Sequence, residues 1–170
     1  MELKLSLNNF YTKLWGLKSS TVDKITELGN KLQIAVPVIT LYLGMIANDF
    51  TYIKVFACAF GVAIFISMFA KALFNNDRPR ETIGTSNPDL NLDWSIKEGN
   101  SFISGHTVAA CTGGVFWFWF DPYLGCIGML LGLITGFSRI VAKAHWLRDV
   151  LAAVFVSVVI YLVSYYYFLV

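Results

Sequence analysis

Charged residues are scarce in this chain, and their scarcity excludes most classes of soluble protein. Asp, Glu, Lys and Arg make up 14% of the 170 residues against 56% for hydrophobic types, and the mean hydropathy is +0.61. An ordinary soluble domain carries about 25% charged residues. The net charge of +2 is small, and the basic residues are scattered, which excludes a nucleic-acid surface. We therefore expect a lipid bilayer as the solvent, and we predict no nucleic-acid or protein partner.

Cysteines are also few, and long apolar runs are missing from the first 20 residues. Cys58, Cys111 and Cys126 all lie in apolar segments, where a free thiol behaves as a small hydrophobe, so we infer neither a disulfide nor a metal site from them. Without an apolar run, we expect the N-terminal segment to be neither a spanning helix nor a cleaved secretory signal.

The N-terminal segment instead has an amphipathic pattern. Its apolar residues recur at spacings of three and four, namely Leu3, Leu7, Phe10, Leu14 and Leu17. Lysines lie between them, as in a helix that rests in the headgroup layer. We predict an amphipathic interfacial segment at residues 1–27, and a frayed tail is the alternative.

The remainder of the chain contains five segments long enough to cross a bilayer, for which a helix needs about 20 apolar residues. The predicted spans are Leu28–Asn48, Tyr52–Phe74, Phe102–Phe120, Tyr123–Ala142 and Val150–Val170. The expected fold is an all-α integral membrane bundle of about five transmembrane helices, with residues 28–170 as one domain and a polar loop at 75–101. Gly128, Gly132 and Gly136 predict a smooth strip for close helix packing.

Titratable side chains at membrane depth are costly, so each one needs a reason to be there. They gather in three groups, and spans that alternate in direction place all three groups on one membrane surface. The groups are Lys71 with Arg78; Ser104, Gly105 and His106; and Arg139, His145 and Asp149. Both histidines of the chain belong to them.

The three cations predict a phosphate site. Lys71, Arg78 and Arg139 supply fixed positive charge, and an arginine fork binds phosphate oxygens bidentately. At Ser104 a loop enters a helix whose first N–H groups point outward, and Gly105 lets the backbone approach an anion closely. The alternative is that the cations only extend to headgroups at helix ends.

His145 and Asp149 are four residues apart, which places them on one face if a helix runs through both. The carboxylate then fixes the ring tautomer and leaves the other ring nitrogen free to attack. His106 is placed to protonate a leaving alkoxide and later to deprotonate a water. The alternative is a structural histidine–carboxylate pair at the start of the fifth span.

Two other functions are compatible with some of these residues. Two histidines and an aspartate could hold zinc, but the three cations already supply the charge of a metal and would repel it, so no metal and no cofactor are predicted. A non-enzymatic carrier of lipid phosphates would keep the cations, although it has no need of the His145–Asp149 pair.

These residues resemble the three-part motif of the type-2 phosphatidic acid phosphatases. Lys71 through Arg78-Pro79 matches the first part; Ser104-Gly105-His106 matches three of the four positions of the second, with Ile103 where proline is usual; and Ser138, Arg139, His145 and Asp149 match the third. The resemblance covers Lys71 to Asp149, about half of the chain.

The resemblance implies a metal-independent phosphatase that forms a phosphohistidine on His145, with His106 as acid and base. The groups that it assigns to the phosphate are Lys71, Arg78, Ser104, Gly105 and Arg139. The compact size and the stretch Asn100–Thr107 are similar to those of small bacterial envelope enzymes. Among these enzymes, lipid A 1-phosphatases are the first candidate. Phosphatidylglycerophosphate and undecaprenyl pyrophosphate phosphatases are the alternatives. A further alternative is a vanadate-dependent oxidant, because the pockets of this family resemble those of vanadium haloperoxidases. The predicted membrane spans argue against it.

Lysine distribution and resemblance disagree about the side of the membrane. The predicted topology places five lysines on the catalytic face, namely Lys4, Lys13, Lys18, Lys24 and Lys31, and only Lys54 on the other. The positive-inside tendency would make that face cytoplasmic. The resemblance implies a bacterial inner membrane protein with its active site facing the periplasm, and we follow it because interfacial lysines also bind anionic lipid.

Overall fold

The computed structural model describes residues 2–74, 76–80 and 100–169, and every regular element among them is helical. The elements are α1 (Glu2–Trp15), α2 (Ser19–Ile46), α3 (Phe50–Leu73), α4 (Gly105–Val115), a 3₁₀ helix (Phe116–Trp119), α5 (Pro122–Val141) and α6 (Leu147–Leu169). The all-α prediction is confirmed. Most of the predicted polar loop at 75–101 lies outside the described residues.

Four of the helices, α2, α3, α5 and α6, are long and apolar enough to cross a bilayer. They carry large apolar side chains on their outer surfaces: Phe65 and Phe155 are 66% and 69% exposed. Such side chains are stable in lipid and costly in water. Four of the five predicted spans thus correspond to these helices, and the chain is a helical membrane protein.

The third predicted span is different from the others. It contains α4 and the 3₁₀ helix, which together are about 24 Å long and so fall short of a hydrocarbon core of about 30 Å. Residues 101–104 are not helical, because they turn into the site described below. Helix α4 lies at the centre of the bundle, in contact with α2, α3, α5 and α6.

The predicted glycine strip is where α5 packs on this central helix. A methyl group at Gly128 would collide with the backbone of Gly114, and one at Gly132 would lie 2.6 Å from Cys111 Sγ. The absence of side chains therefore lets the two helix backbones touch, as the four-residue spacing of glycines predicted.

Aspartates begin the helices at the end of the bundle far from the titratable groups. Asp49 accepts a hydrogen bond from the Tyr52 N–H, and Asp121 accepts bonds from the N–H groups of Tyr123 and Leu124. Asp49 also accepts from Trp119 Nε1 at 3.3 Å. These caps satisfy donors that a helix start leaves without partners.

Aromatic side chains near the ends of the third and fifth predicted spans meet at this same end. The rings of Trp119 and Tyr165 are 6.3 Å apart, so the ends of the third and fifth predicted spans are neighbours. The described helices therefore alternate in direction as predicted. At the opposite end lie the last turns of α3 and α5 and the first turns of α4 and α6.

The N-terminal part of α2 also reaches that opposite end. A methyl group at Gly29 would collide with the Ser138 side chain, so α2 and α5 are in close contact there. Helix α2 begins at Ser19, well before the predicted span start at Leu28. The domain boundary after residue 27 falls inside this continuous helix and stays a prediction.

Candidate active site

His145 lies in the short connection between α5 and α6, and its side chain is 1% exposed. Its Nδ1 is 2.7 Å from the backbone carbonyl of Ser101. Because a carbonyl only accepts, Nδ1 carries the proton, and Nε2 keeps its lone pair. The Asp149 carboxylate is also near, with Oδ2 at 3.6 Å from Nδ1.

This arrangement corrects one part of the sequence argument. Helix α6 begins at Leu147, so no helix runs through both His145 and Asp149. The connection folds back and brings the pair together by another route: the Asp149 carboxylate accepts from the Trp146 N–H at 3.0 Å. The nearest acceptor for the ring is the Ser101 carbonyl, which spacing along the chain did not predict.

Burial sets the charge state of the imidazole. It lowers the pKa of His145 to about 4 against an ordinary 6.5, although contact with Asp149 raises it. The positive charges of Arg139, Lys71 and Arg78 lower the pKa further. All three cations therefore act on this one ring, and the imidazole is neutral at physiological pH.

The two arginines are buried within the bundle: Arg78 is 1% exposed and Arg139 is 2% exposed. Arg78 donates to the Asn100 carbonyl at 3.4 Å, and Asn100 in turn donates to the carbonyl of Lys71. The backbone carbonyl of Arg139 accepts from the His145 N–H at 3.3 Å. Buried guanidinium groups require anionic or polar partners, so the alternative that the cations only extend to headgroups does not hold for these two arginines.

The start of α4 supplies the backbone part of the site. Ser104 precedes the helix, its N–H donates to the Asp149 carbonyl at 3.3 Å, and its hydroxyl is 2.8 Å from that of Thr107. A methyl group at Gly105 would lie 3.9 Å from Lys71 Nζ and 3.5 Å from Ser67 Oγ. The first N–H groups of α4 and the Lys71 ammonium therefore lie on the same side of the site.

His106 is the second residue of α4 and is 6% exposed. Together with Lys71 and Gly105 it lines one end of a cavity of about 310 Å³. The structure thus brings Lys71, Gly105 and His106 together on one side and connects Ser104, Arg139, His145 and Asp149 on the other. Their chemical roles stay predictions.

Two polar residues of α2 also belong to the site and were not predicted. Asn30 accepts from Arg139 Nη1 at 3.1 Å, and Gln33 lines the cavity beside Lys71 and His106. With Thr26 they follow a spacing of four and three residues, which places them on one face of an otherwise apolar helix. That spacing is the signal by which they could have been found.

The arrangement is suited to a tetrahedral anion at a membrane surface. Three cations and a helix N-terminus surround a neutral imidazole, and a second histidine lies beside one of the cations. Among the described residues, no three His, Cys, Asp or Glu side chains come together as a metal site. The fold and the site together define a helical membrane protein with a buried cluster of cations and histidines at one end of the bundle.

Comparison with known proteins gives the family. The family model of the PAP2 superfamily matches residues 52–170, so this chain belongs to that superfamily. Membership supports a phosphatase. The fold is similar to that in the crystal structure of Aquifex aeolicus LpxE, with a TM-score of 0.70, 20% sequence identity and 92% coverage of each chain. No curated protein shows significant sequence similarity to the chain.

Proposed function

We propose that this protein is a lipid phosphatase that hydrolyses a phosphate monoester or a pyrophosphate of a membrane lipid, with a phosphohistidine on His145 as the intermediate. The observation that carries the lipid part is the shape of the cavity. Its polar end holds Lys71 and His106, and the rest is lined by apolar side chains: Ile34, Pro37, Val38, Phe60, Ile64, Met68 and Ala109.

The cavity runs between α2 and α3 from the polar end towards the middle of the bundle. Lys71 and Phe60 are 11 residues apart on α3, which corresponds to about 16 Å along the helix axis. An extended acyl or prenyl chain fits such a cleft while its phosphate reaches Lys71. A soluble phosphate ester would gain nothing from the apolar walls.

In the proposed first step, Nε2 of His145 attacks the phosphorus of the substrate. A P–N bond forms as the P–O bond to the lipid breaks, and His106 donates a proton to the departing oxygen. The ring becomes cationic in this step, because Nδ1 keeps its proton on the Ser101 carbonyl. The nearby Asp149 carboxylate stabilises that charge.

In the second step a water attacks the phosphohistidine. His106 accepts a proton from the water, the P–N bond breaks, inorganic phosphate leaves, and His145 returns to the neutral form. Throughout, Lys71, Arg78 and Arg139 neutralise the phosphoryl oxygens, while Ser104 and Gly105 contribute hydrogen bonds at the start of α4. No step requires a metal ion.

Among lipids, we place lipid A 1-phosphate first. The compact chain and the stretch Asn100–Thr107 resemble lipid A 1-phosphatases, and the fold shared with Aquifex aeolicus LpxE is compatible with that choice. Phosphatidylglycerophosphate and undecaprenyl pyrophosphate are the alternatives. Phosphate release from the three lipids, assayed side by side in detergent with a chelator present, tests the proposal. A carrier would release no phosphate from any of them.

We further propose that the active site faces the periplasm across the bacterial inner membrane. Arg148 is exposed at the catalytic end of α6, and Asn48 is exposed at the far end of α2. In a variant without native cysteines, Arg148→Cys should react with an impermeant maleimide applied to the periplasmic side, and Asn48→Cys should not. The reverse pattern would place the site in the cytoplasm.

A further inference from the structure

The connection that carries His145 runs from the end of α5 to the start of α6. It comprises residues 142–146, and Lys143 within it has a φ of 56°, a left-handed conformation that lysine adopts at a cost. Since the ring of His145 must attack phosphorus in line, a small displacement of this connection would slow the chemistry.

Side chains of α1 bond the backbone on both sides of the connection. Trp15 Nε1 donates to the carbonyl of Ile140, in the last turn of α5, at 3.0 Å. The Tyr11 hydroxyl accepts from the N–H of Leu147, the first residue of α6, also at 3.0 Å. Helix α1 thereby supplies an acceptor for an N–H at the start of α6, where a helix leaves its first N–H groups without internal partners. It also adds a second donor to the Ile140 carbonyl, which accepts from the Lys143 N–H at 3.0 Å as well.

The same aromatic side chains pack around Trp146, the neighbour of His145. The ring centroid of Trp146 is 5.5 Å from that of Tyr11 and 5.9 Å from that of Trp15, and the latter two rings stack at 4.8 Å. Trp146 Nε1 donates to the carbonyl of Asp77 at 2.9 Å. The cluster therefore connects α1 to the segment before Arg78 as well as to the His145 connection.

We infer that α1 acts as a brace for the active site, and that Tyr11 and Trp15 are positioning residues for His145. Both bonds end on backbone groups that flank the nucleophile. Phe10 and Leu17, on the same segment, are 40% and 39% exposed and thus available to the bilayer interface. An effect of this brace on turnover rests on the proposed phosphatase function.

The test removes one polar group at a time. Tyr11→Phe deletes only a hydroxyl and Trp15→Phe only the indole N–H with part of the ring. Matched controls exist at the far end, where the Tyr52 hydroxyl bonds the Phe116 carbonyl and Trp119 bonds Asp49. We expect Tyr11→Phe and Trp15→Phe each to lower kcat about fivefold with KM unchanged, since one hydrogen bond is lost. Tyr52→Phe and Trp119→Phe should leave kcat unchanged.

A second readout does not depend on catalysis. Trypsin cleavage after Lys143, measured by mass spectrometry on protein in detergent, should be faster in the Tyr11 and Trp15 variants than in the wild type or the controls. Wild-type cleavage rates together with a kcat within twofold of wild type would overturn the brace. If the wild-type protein releases no phosphate from any lipid, the proposed function fails, and the cleavage rates alone decide on the brace.

Discussion

Replacement of Gly105 by alanine should separate phosphate binding from folding. The added methyl would lie 3.5 Å from Ser67 Oγ and 3.9 Å from Lys71 Nζ, both ordinary contact distances, so nothing in the protein has to move. Gly105 is also the first residue of α4, where alanine is a better helix former than glycine. The variant should therefore fold as well as the wild type.

Its activity should fall sharply, because the methyl occupies the space between the start of α4 and the Lys71 ammonium. In the proposed phosphate site, a phosphoryl oxygen occupies that space and accepts hydrogen bonds from the backbone N–H groups and from the lysine. Losing one such donor typically costs 100-fold or more in rate. A 100-fold fall in kcat/KM corresponds to about 2.7 kcal/mol of transition-state stabilisation.

The assay is phosphate release from the best lipid substrate, with the unfolding temperature measured on the same preparation. Gly61→Ala is the matched control, since a methyl there meets nothing within 4 Å. Both variants should unfold at the wild-type temperature, and only Gly105→Ala should lose activity. If Gly105→Ala kept kcat/KM within threefold of wild type, no phosphoryl oxygen would lie against Gly105.

Three further predictions concern the protonation of His145, the role of His106 and the stability of the bundle. Burial lowers the pKa of His145 to about 4, so in a His106→Gln variant, where it is the only histidine, its NMR signals should not titrate between pH 5.5 and 8; a midpoint near 6.5 would show that the ring is not buried. The stability that this neutral ring contributes is complete above pH 6.5 and is lost as the pH falls towards 4, because the unfolded chain then binds the extra proton. His106→Ala should still bind inorganic phosphate in calorimetry, but both the formation and the breakdown of the phosphoenzyme should slow by roughly 100-fold or more. Loss of phosphate binding would instead make His106 a ligand and not a proton carrier. Trp117 Nε1 donates to the Thr40 hydroxyl at 2.8 Å, and Thr40→Val removes this acceptor. The variant should lose about 1 kcal/mol of unfolding free energy in a denaturant titration and keep the wild-type kcat. An unchanged free energy of unfolding would mean that the indole finds another acceptor.

The sequence predicted the bundle and the convergence of the site for one physical reason. Charged side chains are costly within a bilayer, so the few that are present are expected to form one functional site. Because the spans alternate in direction, only a few arrangements place these side chains together. The positions of Lys71, Arg139 and His145 follow from span direction alone. The glycine strip on α5 was predictable for a similar reason, since small residues at regular spacing allow close helix contact.

Other features depend on backbone geometry that a one-dimensional pattern does not contain. The Ser101 carbonyl that receives the Nδ1 proton belongs to a non-helical turn 44 residues before His145, and every residue type offers the same carbonyl. The shortness of α4 has the same origin, because the turn at residues 101–104 takes the place of a first helical turn. Asn30 and Gln33, in contrast, were accessible through their spacing on α2.

The most direct test of the account is to locate the phosphate on the enzyme itself. Wild-type protein mixed with a ³²P-labelled lipid phosphate and quenched in alkali should retain label, and mass spectrometry should place the phosphate on the imidazole of His145. His145→Ala should show neither label nor turnover. Label on any other residue, or near-normal turnover by His145→Ala, would contradict the central claim that His145 is the nucleophile.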